Sequence, residues 1–177
     1  MKREIPNIHF EFLIRELSAA GVRFVVAGGV AGVLHGIERA TLDLDVALDF
    51  DTDNISKFAD VIKHLGLVPL VPVAVKNLGN PQVVKMMVEE KHAIAYMLAD
   101  PSMPLRKVDV FLTDELNYDT LYNNSIMIDL EGAHVRVVTL EKLLELKRAV
   151  QPPRDKDVLD INEIERLLAQ RDKGTEQ

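Results

Sequence analysis

The sequence predicts an α+β fold with α/β-like character, in which helices flank a small mixed β-sheet and further helices lie at the C-terminus. Three observations favour this fold class. The first part of the chain alternates between helical and strand patterns of apolar residues. The middle contains two pairs of strand-like runs with turn residues between them. The last part has two amphipathic helical patterns on either side of Pro152-Pro153.

The helices are predicted from apolar residues that recur at helical spacing, and several have recognisable ends. Gly21 is expected to end the first helix, and either Asp53 or Asn54 to cap the third. Pro81 suits the first turn of the fourth. The predicted helices are 8–21, a short helix within 28–36, 55–66, 81–92, 140–150 and 156–170.

The strands are predicted from short apolar runs that are rich in β-branched residues. Residues 67–75 include two prolines and cannot form a central strand throughout, and no role is predicted for 67–105. The predicted strands are 23–27, 41–50, 92–98, 107–113, 126–130 and 134–140.

Length and composition predict a single domain, since 177 residues with 47% hydrophobic and 28% charged residues are typical of one globular unit. Within it we expect a core at 1–139, a helical extension at 140–170 packed on the core, and a frayed polar tail at 171–177.

Composition also excludes several classes of protein. The absence of cysteine excludes disulfides and thiolate metal sites. No apolar run reaches membrane-spanning length, and residues 1–12 lack the apolar stretch of a signal peptide, so we expect a cytoplasmic protein with no membrane partner. A net charge of −7 disfavours a broad nucleic-acid footprint.

Two aspartates at alternate positions of the strand 41–50 are the first candidate for chemistry. Side chains at i and i+2 of a strand share a face, so Asp43 and Asp45 lie together, opposite a core face of apolar residues that begins at Leu42. Such a pair suits Mg²⁺, which takes one or two carboxylates together with substrate phosphates. The alternative is that both aspartates simply face water.

Two glycines upstream strengthen the first interpretation. Gly28-Gly29 follows a short apolar strand and opens a helix, where free N–H groups attract phosphate and a side chain would block its approach. A simple turn is the alternative for this pair. A glycine pair followed by Asp-Leu-Asp on the next strand indicates that one element binds phosphates and the other binds metal.

In this arrangement the sequence resembles the nucleotidyltransferases of the DNA polymerase β type. That family combines a strand, Gly-Gly or Gly-Ser, Asp-x-Asp on a second strand and a third carboxylate on a later strand, for which Asp109 in KVDVF is the match. The finer pattern GGVAGVLHGIERATLDLD, together with LEKLLELKRAVQPPRDKDVLDI, is similar to the small bacterial branch of AbiEii-type toxins and lincosamide nucleotidyltransferases. The matching stretches cover 22–50, 106–112 and 138–161.

The resemblance implies a nucleotidyltransferase fold and a metal-dependent enzyme. Asp43 and Asp45 would hold two Mg²⁺ ions, and Asp109 would complete the site and act as base toward an incoming hydroxyl. The substrate would be an NTP, from which an NMP is transferred and pyrophosphate is released.

The resemblance also implies a set of nucleotide-binding residues. Gly28 and Gly29 would hold the triphosphate, while Arg39 and Thr41, just before the metal-binding strand, would contact phosphate. Lys147 would supply a further cation. For Lys147, a position on a solvated helix face is an equal alternative.

Three classes of function stay open. The leading one is an active transferase whose acceptor is a tRNA, a protein or a small molecule such as an antibiotic. The second is a non-catalytic nucleotide-binding protein or a toxin–antitoxin partner of the same fold, bound by an antitoxin. The third is a structural domain whose aspartates are surface residues.

Other polar residues receive structural interpretations. Residues 49–60 resemble a calcium loop only superficially, because Asn54 stands where glycine is expected, and a strand end with a helix cap explains them better. His35 is expected to be structural. Asp155, Asp157 and Asp160 are expected to cap the last helix and favour its dipole.

Overall fold

A computed structural model describes residues 10–175, which form a seven-stranded mixed sheet with helices around it. The fold class is therefore as predicted. The strands are β1 (Phe24–Ala27), β2 (Asp43–Leu48), β3 (Val68–Pro69), β4 (Ala95–Asp100), β5 (Met103–Phe111), β6 (Ser125–Leu130) and β7 (Ala133–Val138). The helices are α1 (Phe10–Ala19), α2 (Gly28–Leu34), α3 (Thr52–His64), α4 (Pro81–Glu89), α5 (Tyr118–Tyr122), α6 (Leu140–Ala149) and α7 (Asp155–Thr175), with 3₁₀ turns at Val75–Gly79 and Asp114–Leu116.

The strand order is β3-β4-β5-β2-β1-β7-β6. The two predicted strand pairs, β4 with β5 and β6 with β7, are antiparallel hairpins. The second turns at Glu131-Gly132, where both residues adopt positive φ. In the middle of the sheet, β2 is antiparallel to β1 and parallel to β5. This parallel contact brings the strand of Asp43 and Asp45 beside the strand of Asp109.

The core lies between the sheet and the helices. Leu44, Val46 and Leu48 of β2 are buried, as the alternation predicts, together with the whole of β1. On one side α2 packs against β1 and β2, α6 packs against α2, and α7 packs against α6. Ile164 of α7 is fully buried, which anchors that helix through apolar contact.

Several sequence expectations need correction. Asp51, rather than Asp53 or Asn54, caps α3 by accepting the N–H of Asp53. Asn54 is fully buried, and its amide forms hydrogen bonds with the backbone of Arg23 and Asp49. These bonds join the start of β1 to the end of β2. Leu42 is 59% exposed, because β2 begins only at the next residue.

The ends of the elements differ from the predictions in two further places. The polar stretch expected to fray from residue 171 continues α7 as far as Thr175, and the remaining two residues of that tail lie outside the described range. The predicted start of α1 at residues 8 and 9 also lies outside it.

The proline-containing segment forms an edge of the sheet. β3 has only two residues, which accommodates Pro69 because an edge strand need not donate every N–H. The hydroxyl of Tyr96, a fully buried residue of β4, donates a 2.6 Å hydrogen bond to the carbonyl of Val73 and attaches the segment to the sheet. Among the helices of residues 10–175, none has the length and apolar character needed to cross a membrane.

Candidate active site

Three carboxylates meet where β2 and β5 run side by side. Asp45 is the register partner of Asp109, and Asp43 lies two residues before Asp45 on the same strand face. All three line one cleft, together with Lys107 and Phe111, which share the face of Asp109 on β5. The parallel pairing of two strands that are distant in sequence is what brings these side chains together.

The carboxylates oppose one another electrostatically. Burial, followed by the charges of Asp109 and Asp43, raises the pKa of Asp45 to about 6. Burial and the charge of Asp43 likewise raise the pKa of Asp109. The Oδ1 atom of Asp109 is buried and accepts no hydrogen bond from the described residues. A group of this kind is expected to bind a positively charged partner.

The donor chemistry of this cluster fits a hard divalent cation. Carboxylate oxygens are the ligands that Mg²⁺ prefers, and an ion would satisfy the buried Oδ1 of Asp109 and relieve the repulsion. Within residues 10–175, no three histidine, aspartate or glutamate side chains are already gathered tightly enough to form a metal-ligand set.

Gly28 is required by the position of Asp45. A Cβ atom at Gly28 would lie 1.9 Å from Oδ2 of Asp45, and the φ angle of +61° is one that glycine adopts without strain. The need for glycine here, which the sequence attributed to an approaching phosphate, comes in the structure from an aspartate of the sheet.

Gly29 makes room for two other predicted residues. A Cβ atom there would lie 3.0 Å from Oγ1 of Thr41 and 3.1 Å from Cζ of Arg39. Thr41 is held in turn by a 3.3 Å bond from its hydroxyl to the carbonyl of Asp43. Gly29 thus permits the Arg39 guanidinium to pack against the start of α2.

Lys147 is buried, so the alternative of a solvated helix face is wrong. Its Nζ atom lies 2.7 Å from Oδ2 of Asp160 and 3.1 Å from Oδ1 of Asp157. Arg39 pairs with the same Oδ2 atom of Asp160. Asp160 therefore joins the loop before β2 to α6 through two cations.

Asp157 extends this set of ion pairs. Arg154 donates to both of its carboxylate oxygens, at 2.5 and 3.1 Å. Burial alone would raise the pKa of Asp157, but the hydrogen bonds from Arg154 and Lys147 outweigh it and hold the pKa at about 2. We call these five side chains, Arg39, Lys147, Arg154, Asp157 and Asp160, the ion-pair network.

The network corrects the interpretation of the last helix. Asp157 and Asp160 were expected to cap α7, but they are 0% and 6% exposed and bind cations from three segments. Acidic residues at the start of a helix fit capping equally well, so sequence alone gave no reason to prefer a buried role. Their spacing of three residues places them on one helix face, which is compatible with either role.

All of the predicted site residues line the same cleft, which has a volume of about 900 Å³. The sequence reasoning missed Arg154 and Lys156, which also line it. Leu42, Ile94 and Leu105, among the most exposed large apolar side chains of the described residues, form an apolar part of its wall. The predicted residues are Gly28, Gly29, Arg39, Thr41, Asp43, Asp45, Asp109 and Lys147.

His35 lies apart from this cleft chemistry. It follows the last residue of α2, and its Nε2 atom donates a 2.7 Å hydrogen bond to the carbonyl of Val138 on β7. This contact ties the end of α2 to the sheet, in agreement with the structural role expected for His35.

Comparison with solved structures shows that the chain has the nucleotidyltransferase fold. It superposes on the lincosamide antibiotic adenylyltransferase LnuA, solved with lincomycin bound, with a TM-score of 0.60 and 14% identity, covering 89% of this chain and 95% of that one. For the antibiotic-resistance factor ANT(2'')-Ia the TM-score is 0.54 at 13% identity, covering 94% and 93%.

A third similar structure is an antigenic nucleotidyltransferase-like protein from Paracoccidioides brasiliensis, with a TM-score of 0.51 and 18% identity, covering 87% of this chain and 72% of that one. No protein-family model and no curated protein matches the sequence.

Proposed function

We propose that this protein is a metal-dependent nucleotidyltransferase that moves an NMP from an NTP to an acceptor and releases pyrophosphate. One observation carries the proposal: a single cleft is lined both by three mutually repelling carboxylates and by a group of cations. The carboxylates suit metal ions and the cations suit a polyphosphate. The nucleotidyltransferase fold supports the same reaction.

The carboxylates would hold the metal. Asp43, Asp45 and Asp109 would supply the ligands for two Mg²⁺ ions, which would neutralise charge on the attacking and leaving oxygens. The acceptor oxygen forms a bond to the α-phosphorus as the bond to pyrophosphate breaks. A carboxylate oxygen of Asp109 that does not bind the metal would accept the proton that the acceptor loses.

The cations and the glycine turn would bind the NTP. Arg39 and Lys147 would face its phosphates, and Thr41 and the Gly28-Gly29 turn border the same space. Because Lys147 is already shared between two carboxylates, the exposed Lys156 is a further candidate for direct phosphate contact. The charge of Lys156 lowers the pKa of Asp45, so Lys156 lies close enough to the three carboxylates to act on them.

A small molecule is the acceptor that the neighbouring structures favour. LnuA was solved with lincomycin bound, and ANT(2'')-Ia with adenylyl-2''-tobramycin. In this chain Ile94 and Leu105 are 71% and 69% exposed and line the same cleft as Asp43, Asp45 and Asp109. An exposed apolar surface at such a position favours an acceptor with an apolar body over a highly charged one.

The test is pyrophosphate release, followed by ³¹P spectroscopy, from each of the four NTPs with Mg²⁺. Lincomycin, tobramycin and bulk tRNA are offered as acceptors in separate reactions. Mg²⁺-dependent release with at least one acceptor is expected. NTP binding without turnover would instead support the non-catalytic alternative, including an antitoxin-bound protein, and absence of both would support a structural domain. Assignment to the AbiEii-like branch and a cytoplasmic location stay predictions.

A further inference from the structure

The ion-pair network places its positive and negative groups in different positions relative to the cleft. Arg39, Lys147 and Arg154 line the cleft, whereas Asp157 and Asp160 are buried and do not line it; Asp160 borders a neighbouring pocket together with Arg39. Three cations and two carboxylates give the network one excess positive charge. The three cations line the same cleft as Asp43, Asp45 and Asp109.

Stability alone is a weak reason for such an arrangement. Removing several charges from water is costly, and apolar residues of similar size generally stabilise a protein as well or better. Arginine and lysine side chains also lose considerable conformational freedom when a ligand fixes them. Carboxylates that already hold these cationic side chains in place reduce the conformational freedom that is lost when the ligand binds.

We infer that Asp160 and Asp157 are positioning residues, which hold Arg39, Lys147 and Arg154 in place for the polyphosphate of a nucleotide. The inference rests on the proposed function. Asp160 is the central member, because its Oδ2 atom bonds both Arg39 from the loop before β2 and Lys147 from α6. Gly29 contributes by leaving space for the Arg39 guanidinium.

A purely structural role, in which the network only attaches α7, has less support. Helices α6 and α7 are also joined by two exposed ion pairs, Arg148–Glu165 and Glu141–Arg171. Buried Ile164 adds apolar contact. Loss of one network carboxylate should therefore leave α7 docked.

The experiment measures the binding of inorganic tripolyphosphate in the presence of Mg²⁺ by calorimetry, which requires neither the acceptor nor the preferred base. Asp160→Asn should weaken this binding at least about tenfold, since it leaves Arg39 without its buried partner. Asp160→Glu, which keeps the charge, should recover part of the affinity. Glu165→Gln removes an ion pair between the same two helices and should bind as the wild type does.

A double-variant cycle tests whether Asp160 acts through Arg39. Arg39→Gln and Asp160→Asn should each weaken tripolyphosphate binding, and the combined variant should lose much less than the product of the two effects. Fully multiplicative losses, or wild-type affinity in Asp160→Asn, would overturn the inference.

Thermal melting of every variant separates positioning from folding. If Asp160→Asn does not fold at the assay temperature, Asp157→Asn is titrated instead, since it leaves the Arg39–Asp160 pair intact and should show the same loss. A wild-type protein that binds neither tripolyphosphate nor any NTP would overturn the proposed function. If the wild type binds tripolyphosphate and the variant binds it with the same affinity, only the positioning role is overturned.

Discussion

Asp45 lies directly across from Asp109 on the neighbouring parallel strand, and the two carboxylates repel each other in a partly buried cleft. This repulsion contributes to a pKa of about 6 for Asp45. If the two aspartates had no function, replacing one of them would increase the stability of the protein. Substitution of Asp45 or Asp109 is therefore the most direct test of a function in metal binding.

Asp45→Asn should fold normally and gain about 1 kcal/mol in free energy of unfolding at pH 7, because a repelling charge is removed. Mg²⁺-dependent NTP affinity should be lost, and transfer activity should fall by several orders of magnitude. Calorimetry and thermal melting measure the first two quantities without knowledge of the acceptor. Asp60→Asn, on the exposed face of α3, is the control. Unchanged Mg²⁺ dependence in Asp45→Asn would return the pair to the role of surface aspartates.

Gly28→Ala should destabilise the protein more than Gly21→Ala does. Both glycines have positive φ, so each substitution costs about 1 kcal/mol in backbone strain. Only at Gly28 does the new Cβ collide with a carboxylate, whereas nothing lies within 4 Å of it at Gly21. Chemical denaturation measures the difference. Adding Asp45→Ala should restore part of the stability lost by Gly28→Ala, and no restoration would mean that the collision is not the cause.

Gly29→Val should weaken NTP binding more than it weakens folding. The added side chain must displace the Arg39 and Thr41 side chains, which are the nearest atoms to the new Cβ. Both are proposed to contact phosphate, so the effect on binding is indirect. Calorimetry with NTP and thermal melting are compared on the same variant. Parallel losses of affinity and melting temperature would identify Gly29 as a turn residue only.

Asp157→Asn should destabilise the protein by about 3 kcal/mol at pH 7, because Lys147 and Arg154 lose a buried partner. The folded-state pKa of about 2 lies below the ordinary value of 3.8. The contribution of the ionised Asp157 is therefore complete above about pH 4 and is lost as the pH falls toward 2. Urea denaturation at several pH values should show the two proteins converging on acidification. A pH-independent difference would contradict the ion pairing.

Tyr96→Phe should lower the free energy of unfolding by about 1 kcal/mol, because the carbonyl of Val73 loses its donor. Tyr122→Phe removes a hydroxyl at a residue that is 39% exposed and should change stability by less than about 0.5 kcal/mol. Equal effects of the two substitutions would show that the hydroxyl of Tyr96 does not attach the proline-containing segment.

The local part of the site was predictable from the sequence. Asp43 and Asp45 share a strand face because strand side chains alternate, and the glycine pair follows a strand because its apolar run ends there. Helix and strand patterns gave most elements for the same reason, since each depends on neighbours a few residues away. The sequence placed the N-terminal cap of α3 at Asp53 or Asn54, whereas the cap is Asp51. Asp51 is an equally good capping residue, so the sequence did not distinguish between them.

By itself, then, the sequence determined most of the strands and helices, the Asp-Leu-Asp face and the glycine turn, because these follow from local periodicity and steric rules. It did not predict β3 or α5, which are short. Only the tertiary structure decided that Asp45 lies beside Asp109, since strand pairing depends on how the whole sheet packs. It also decided that Lys147 is enclosed by Asp157 and Asp160. A charged helix face has the same sequence pattern whether it is exposed to water or packed against another helix. Only tertiary packing distinguishes these two cases.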